Sequence, residues 1–294
     1  MLKRYIAVLL VFTMAFLLVS CKEEPQQITE NIPIQTTIIP DDAVLPENKT
    51  VRISVVESLG NSGLMKNLER AFEEDTNYNL EISSNSNSTA VSVARAGKAD
   101  LLWILSGTAA DQFVSAGYGA KREDIFHDYY VLAGPEDDPA NVKSASTMLK
   151  AFSLIREEGI AGFVSRGDES DLCIAEKGAL AGAGFVVGSG NSWYSQAKTG
   201  MASSLVKANE KGAYILTEKE AFQLLKDELS IEILIECKDM KNVYTLISMN
   251  SEMFEETNTQ GADAFREWLR SERAKALIDE YGISEYGVDI YDYD

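Results

Sequence analysis

Three times between residues 51 and 108 the chain repeats one order: apolar β-formers, a small polar loop, then apolar residues at helical spacing. Val51-Arg52-Ile53-Ser54-Val55-Val56 is the first run, and residues 57–63 form its loop. Leu64, Leu68, Ala71 and Phe72 then recur on one helical face, with Glu73, Glu74 and Asp75 on the wet side. Asn61 or Ser62 is the expected cap. Leu80 to Ser83 followed by Ser84-Asn85-Ser86-Asn87-Ser88-Thr89 repeats the order, with a helix to about Gly97. Asp100 to Leu105 followed by Ser106-Gly107-Thr108 begins it again. Strands that return through helices run parallel, so the chain is of the α/β class. The polar loops then stand beyond the carboxyl ends of strands, where such sheets hold small ligands. Capping one helix needs one polar residue; the middle loop carries more than that.

Residues 129–135 form a further strand ending at Gly134-Pro135, and residues 141–158 a helix. Phe163-Val164-Ser165-Arg166-Gly167-Asp168-Glu169-Ser170 is the stretch most suggestive of function. A short apolar strand delivers a hydroxyl and an arginine to the start of a helix. Arg presents fixed donors and keeps its charge, and a helix N-terminus adds unpaired N–H groups and a positive dipole end. Together they suit an anion. The plainer alternative is an Arg166–Asp168 ion pair in a surface turn. Residues 178–190 are glycine-rich, but no strand precedes Gly182-Ala183-Gly184 and no spaced acid follows, which argues against a dinucleotide loop. A helix over 198–210, a strand over 213–216, a helix over 218–226, strands over 231–236 and 243–249, and a helix from about 260 to 281 complete the reading.

At the other end, Lys3 and Arg4 precede an apolar run from Tyr5 to Val19, which reads as a secretory signal, residues 1–20. It ends Leu18-Val19-Ser20-Cys21. Residues 21–50 are polar and hold Pro25, Pro33, Pro40 and Pro46, the composition of a flexible tether. Cys173 and Cys237 read as two buried free thiols, with a disulfide as the alternative. With 27 basic against 46 acidic side chains and a net charge of -19, nucleic acid is an unsuitable partner. No His, Cys, Asp and Glu grouping has metal-ligand spacing, no cofactor is implied, and the one histidine, His127, sits in no catalytic motif.

Leu18-Val19-Ser20-Cys21 resembles the lipobox of bacterial lipoproteins, which implies lipidation of Cys21; a plain signal peptide is the alternative. The body resembles the tungstate-binding proteins of bacterial ABC importers. The matching residues are Asn61-Ser62-Gly63-Leu64, Gly97-Lys98-Ala99-Asp100, Gly117-Tyr118-Gly119, Gly134-Pro135 with Asp137-Asp138-Pro139-Ala140, the stretch from Phe163 to Ser170, Trp193-Tyr194, Gly200-Met201, and Asn209-Glu210-Lys211 leading to Ala213-Tyr214-Ile215-Leu216-Thr217. The resemblance implies a two-lobe, type II periplasmic-binding-protein-like fold. Two mixed sheets flanked by helices would be joined by two crossing strands, near residues 129–134 and 244–250. Lobe one would hold 51–130 plus 245–294, and lobe two 131–244.

By the same resemblance Arg166 and Ser165 bind the ligand from lobe two, and Ser58, Ser86, Asn87 and Ser88 from lobe one. The chain departs from the family at Glu57, Asp171, Leu172 and Cys173, where the family has hydroxyls, glycine and histidine. Glu57 either points away from the site or pairs with Arg166. The implied function is a monomeric, lipid-anchored, extracytoplasmic solute-binding protein, not an enzyme. It would capture a tetrahedral oxyanion, tungstate or molybdate, and hand it to an ABC permease. The alternative is a divergent binder or sensor of a neutral or zwitterionic molecule.

Overall fold

The computed structural model describes residues 48–187 and 191–294; the leader, Cys21 and nearly all of the tether lie outside them. The opening repeats keep the order read: β1 (Thr50–Val56), α1 (Glu57–Gly60), α2 (Gly63–Asp75), β2 (Asn79–Asn85), α3 (Asn87–Arg95), β3 (Leu101–Leu105) and α4 (Thr108–Ser115). The loop read over 57–63 holds the short α1, and the loop read over 84–89 is the end of β2 and the start of α3. Ser62 caps α2 by accepting the Met65 N–H, and Ser86 caps α3 by accepting that of Thr89. The long β4 (Gly119–Pro135) leads out, and α5 (Met148–Glu158), β5 (Phe163–Ser165), α6 (Asp171–Gly182), β6 (Tyr194–Gln196), α7 (Met201–Lys211), β7 (Ile215–Glu218) and α8 (Lys219–Gln223) follow. The equally long β8 (Ile231–Met249) returns, and α9 (Thr259–Leu269), α10 (Glu272–Asp279), α11 (Ile283–Tyr286) and β9 (Asp292–Tyr293) close the chain.

The main sheet has the order β2-β1-β3-β8-β4-β7, with β9 added to β4, and β5 pairs with β6 in a smaller one. β2, β1 and β3 are parallel; β8 runs antiparallel to both β3 and β4. Alternation along each strand explains the layers. Leu101 and Trp103 of β3 enter one core with Phe72, Phe126 and Phe265, while Leu102 and Ile104 enter another with Ala90, Phe113 and Ile247. Both faces are thus apolar and both are covered by helices, as a parallel sheet requires. The second lobe repeats this: Leu132 and Leu216 pack with Phe152 and Phe163, and Ala133 and Ile215 with Leu205 and Phe222. Core residues 51–126 and 244–291 therefore serve one lobe, and residues 130–237 the other.

Strands β4 and β8 pair from Gly119↔Met249 to Pro135↔Ile231, so one ladder serves both lobes, with a register shift between Tyr129↔Lys241 and Val131↔Glu236 where it crosses. The expected strands over 231–236 and 243–249 are the two ends of β8. Lys238, Asp239, Lys241 and Asn242 interrupt the apolar pattern between them because that stretch crosses between the lobes, where neither core covers it. Gly178 to Gly182 continue α6 and do not form a loop. The last helix is broken at Ser271, which caps α10 by accepting the Ala274 N–H.

Candidate functional site

Between the lobes lies a cavity of about 280 Å³, at the small end of the range for ligand sites. Four helices open onto it by their N-terminal ends: α2 through Asn61 and Ser62, α3 through Ser86, α6 through Ser170, Asp171 and Leu172, and α7 through Gly200 and Met201. Each strand-to-helix turn of an α/β sheet puts its helix start at the same edge, so two facing lobes aim their starts at each other. Each end carries about half a positive charge. The hinge strands add Asp128, Tyr130 and Tyr244.

Arg166 lines the cavity from the end of β5. Its guanidinium Nε lies 2.5 Å from Asp168 Oδ2, an ion pair not aligned as a hydrogen bond, since Nε has no partner in line with its N–H. Gly167 lies between the two at φ +73°, and a Cβ there would stand 2.7 Å from the Gln196 side chain, so only glycine allows this turn. Burial raises the Asp168 carboxyl, but the Ser170 hydroxyl and N–H, with Arg166, outweigh it and hold the group below its ordinary range. Asp168 is therefore a full negative charge that orients the arginine and offsets part of its field. The turn-pair alternative is present in the structure, and the same arginine borders the cavity.

Of the other residues read from sequence, Ser58 and Ser86 line the cavity with Arg166. Ser165 is fully buried behind it, 3.9 Å from Cys173 Sγ. The Asn87 side chain accepts the Leu105 N–H at 3.0 Å, tying α3 to β3, and lines a neighbouring recess. Ser88 lies beside Ser86, at 3.3 Å, outside the lining. Glu57 is exposed at the rim, and the ion pair made by Arg166 among the described residues is with Asp168. Trp193 and Tyr194 are core, with Tyr194 stacked on Phe163. Cys173 and Cys237 are free and buried. His127 Nδ1 lies 2.8 Å from Asp294 Oδ1 and Nε2 3.5 Å from Asp292 Oδ2, so the C-terminal strand holds its ring.

Residues not singled out as ligand groups from sequence supply most of the charge. Asp128, Asp171, Glu218 and Glu220 join Glu57 in the lining, where Arg166 is the one cation among the described residues. Asp128 is buried, its Oδ1 accepting from Asn242 Nδ2 at 2.8 Å and its Oδ2 3.3 Å from the Tyr244 hydroxyl; burial pushes it up to about 7. Burial also raises Asp171, against the N–H of Asn87 that faces it. Glu218 is raised by burial, only partly offset by its own backbone N–H and by Arg166. Glu220 Oε1 accepts from the Gly63 N–H and the Tyr281 hydroxyl, and Oε2 from the Tyr291 hydroxyl. Two unit charges 4 Å apart interact by about 4 kcal/mol at an effective dielectric near 20. A dianion here meets a nominal charge of about +2 from four helix ends and +1 from Arg166, but Glu220 already occupies the α2 end and each ionised carboxylate subtracts from that sum.

A family model described as a PBP superfamily domain matches residues 43–273. A tungstate-binding protein TupA of Peptoclostridium acidaminophilum is 31% identical over 246 residues, covering 82% of this chain and 85% of the relative. The chain belongs to the tungstate-binding protein family. The solved tungstate-binding protein TupA of Desulfovibrio alaskensis G20 superposes with a TM-score of 0.75 at 26% identity, over 83% of this chain and 98% of that one. The tungstate ABC transporter structure from Geobacter sulfurreducens gives 0.68 at 26% identity, over 79% and 99%. The TupA relatives are tungstate-binding proteins, and the chain shares the fold of the solved ones.

Leu172 and Cys173 fill the start of α6. Leu172 borders the cavity but is buried in the second-lobe core, and Cys173 is buried beside it, its Sγ accepting the Gly167 N–H at 3.1 Å. Thus the thiol braces the arginine turn from behind and offers nothing to a ligand. Glu218 ends β7 and Glu220 lies just beyond it, as Glu57 lies just beyond β1, so the rule that picked out the first loops also reaches them; the helix reading over 218–226 concealed that junction.

Proposed function

We propose that this protein is an extracytoplasmic solute-binding protein that closes its lobes over a tetrahedral oxyanion, tungstate or molybdate, and delivers it to an ABC importer. The convergence of four helix N-termini on Arg166 carries this reading. Unpaired N–H groups and a fixed cation are the chemistry that replaces the hydration of a small anion. In this reading Arg166, Ser58 and Ser86 contact the ligand directly, while Ser165, Asn87 and Ser88 support the strand end and helix start that present them. Lobe one is taken as 51–130 plus 245–294 and lobe two as 131–244. The protein acts as a monomer, anchored through lipid on Cys21, with residues 21–50 as tether.

The lining carboxylates favour a second reading, in which Arg166 holds the carboxylate of a zwitterion and Asp128 or Glu218 its ammonium group. Isothermal titration of the purified chain with tungstate, molybdate, sulfate and amino acids separates the two. Saturable heat with tungstate or molybdate, abolished by Arg166→Ala at unchanged circular dichroism, is the expected result. Heat from an amino acid alone would transfer the site to the second reading. Cys21→Ser is expected to move the protein from the membrane fraction to the soluble one.

A further inference from the structure

Glu218 differs from the other carboxylates around the cavity. Asp128 has a partner on each oxygen, Asp171 faces the Asn87 N–H, Glu220 is held by three donors, and Glu57 is solvated at the rim. Glu218 Oε2 is buried and has no hydrogen-bond partner. Buried acceptors are ordinarily satisfied, so an orphan oxygen beside a ligand cavity points to the ligand as its partner. A tetrahedral oxyanion is itself an acceptor, and a carboxylate facing it repels. The contact is favourable only if a proton lies between them.

We propose that Glu218 binds the oxyanion as a carboxylic acid, its Oε2 taking a proton from solvent and donating it to an anion oxygen beside Arg166. This rests on the oxyanion reading above. The surroundings of Glu218 favour the protonated form. Asp128 of β4, Asp168 of the arginine turn, Asp171 at the start of α6 and Glu57 across the cavity surround it with carboxyl groups, while the neutral Tyr130 hydroxyl adds no charge. Next to it, Lys219 is drawn away into an ion pair with Glu236, and Glu220 is turned to lobe one. Arg166, already paired with Asp168, is the cation left to oppose them. The anion's own charge adds to the same push. One proton therefore enters with one anion, and the site gains a donor as the ligand arrives.

The test is calorimetry of the full-length chain with molybdate from pH 6.5 to 9.5, in paired buffers of different ionisation enthalpy. Wild type is expected to take up close to one proton per anion over part of this range. Its affinity should fall about tenfold per pH unit above it. Glu218→Gln, whose amide donates at every pH, should bind with no proton uptake attributable to this site and a flat affinity profile. A wild-type profile without uptake or slope would overturn the proposal even if the variant does not fold. Uptake that persists unchanged in a folded Glu218→Gln would do the same. Absence of molybdate and tungstate binding at every pH would instead remove the oxyanion reading, and this proposal with it.

Discussion

At the scale of single residues, Asp128 shows what the site costs the fold. It is 4% exposed between the hinge strands, and burial lifts its carboxyl from 3.8 to about 7. Between those values the folded protein holds a proton that the unfolded chain has released, so stability falls as pH rises through that window. At about 1.4 kcal/mol for each pH unit crossed, the loss over the whole window is on the order of a few kcal/mol. Asp128→Asn is expected to flatten this slope. Denaturant midpoints at pH 4.5 and 8 should differ less in the variant than in wild type. His127 stands at the opposite extreme. Its contacts are with the C-terminal strand, so His127→Ala should leave ligand affinity within about twofold by calorimetry while lowering the melting temperature.

At the scale of elements, the strand–loop–helix order was readable because each piece satisfies its own rule: apolar alternation, a capping hydroxyl, a 3.6-residue stripe. Ser86 illustrates both the strength and the limit of such reading. Read as a ligand residue, it is also the N-cap of α3, so Ser86→Ala should cost about 1 kcal/mol in stability as well as weakening the site. A binding defect at unchanged stability would deny the cap. The arginine turn was legible from Ser165, Arg166 and Gly167 between a short apolar run and a helix start, but those residues alone left open whether Arg166 serves a ligand or a surface ion pair with Asp168. The acidic lining was not, because Asp128, Glu218 and Glu220 meet only through pairing of β4, β7 and β8 that are far apart in sequence. The length of β8 was hidden for a related reason. Its middle is polar where the strand leaves one core and has not reached the next.

At the scale of the whole molecule, the lobes are held together by their own side chains as well as by the hinge. Glu220 of α8 reaches the N-terminus of α2, with the Tyr281 and Tyr291 hydroxyls on its two oxygens. Gly63 is glycine because a Cβ would stand 2.2 Å from the Tyr281 hydroxyl. Charge-assisted bonds of this kind contribute about 1.5–3 kcal/mol. Glu220→Ala is expected to open the unliganded protein, seen as a larger radius of gyration in solution scattering, and to speed anion release severalfold. Unchanged scattering and release would mean that the hinge alone sets closure. The same carboxylate occupies a helix end that an anion would otherwise seek, so it also narrows where a ligand can settle.

The ladder between β4 and β8 gives the molecule a torsion bar. Because its rungs continue from one lobe into the other, the lobes cannot slide past each other without breaking many of them, but they can twist about the pair. The register shifts between Asp124 and Phe126 and between Tyr129 and Val131 loosen the bar locally, beside Asp128 and Tyr130. A small rotation there becomes a large sweep at the far rims. What the transporter would sense is an angle, set at the cavity and amplified by the length of the arm.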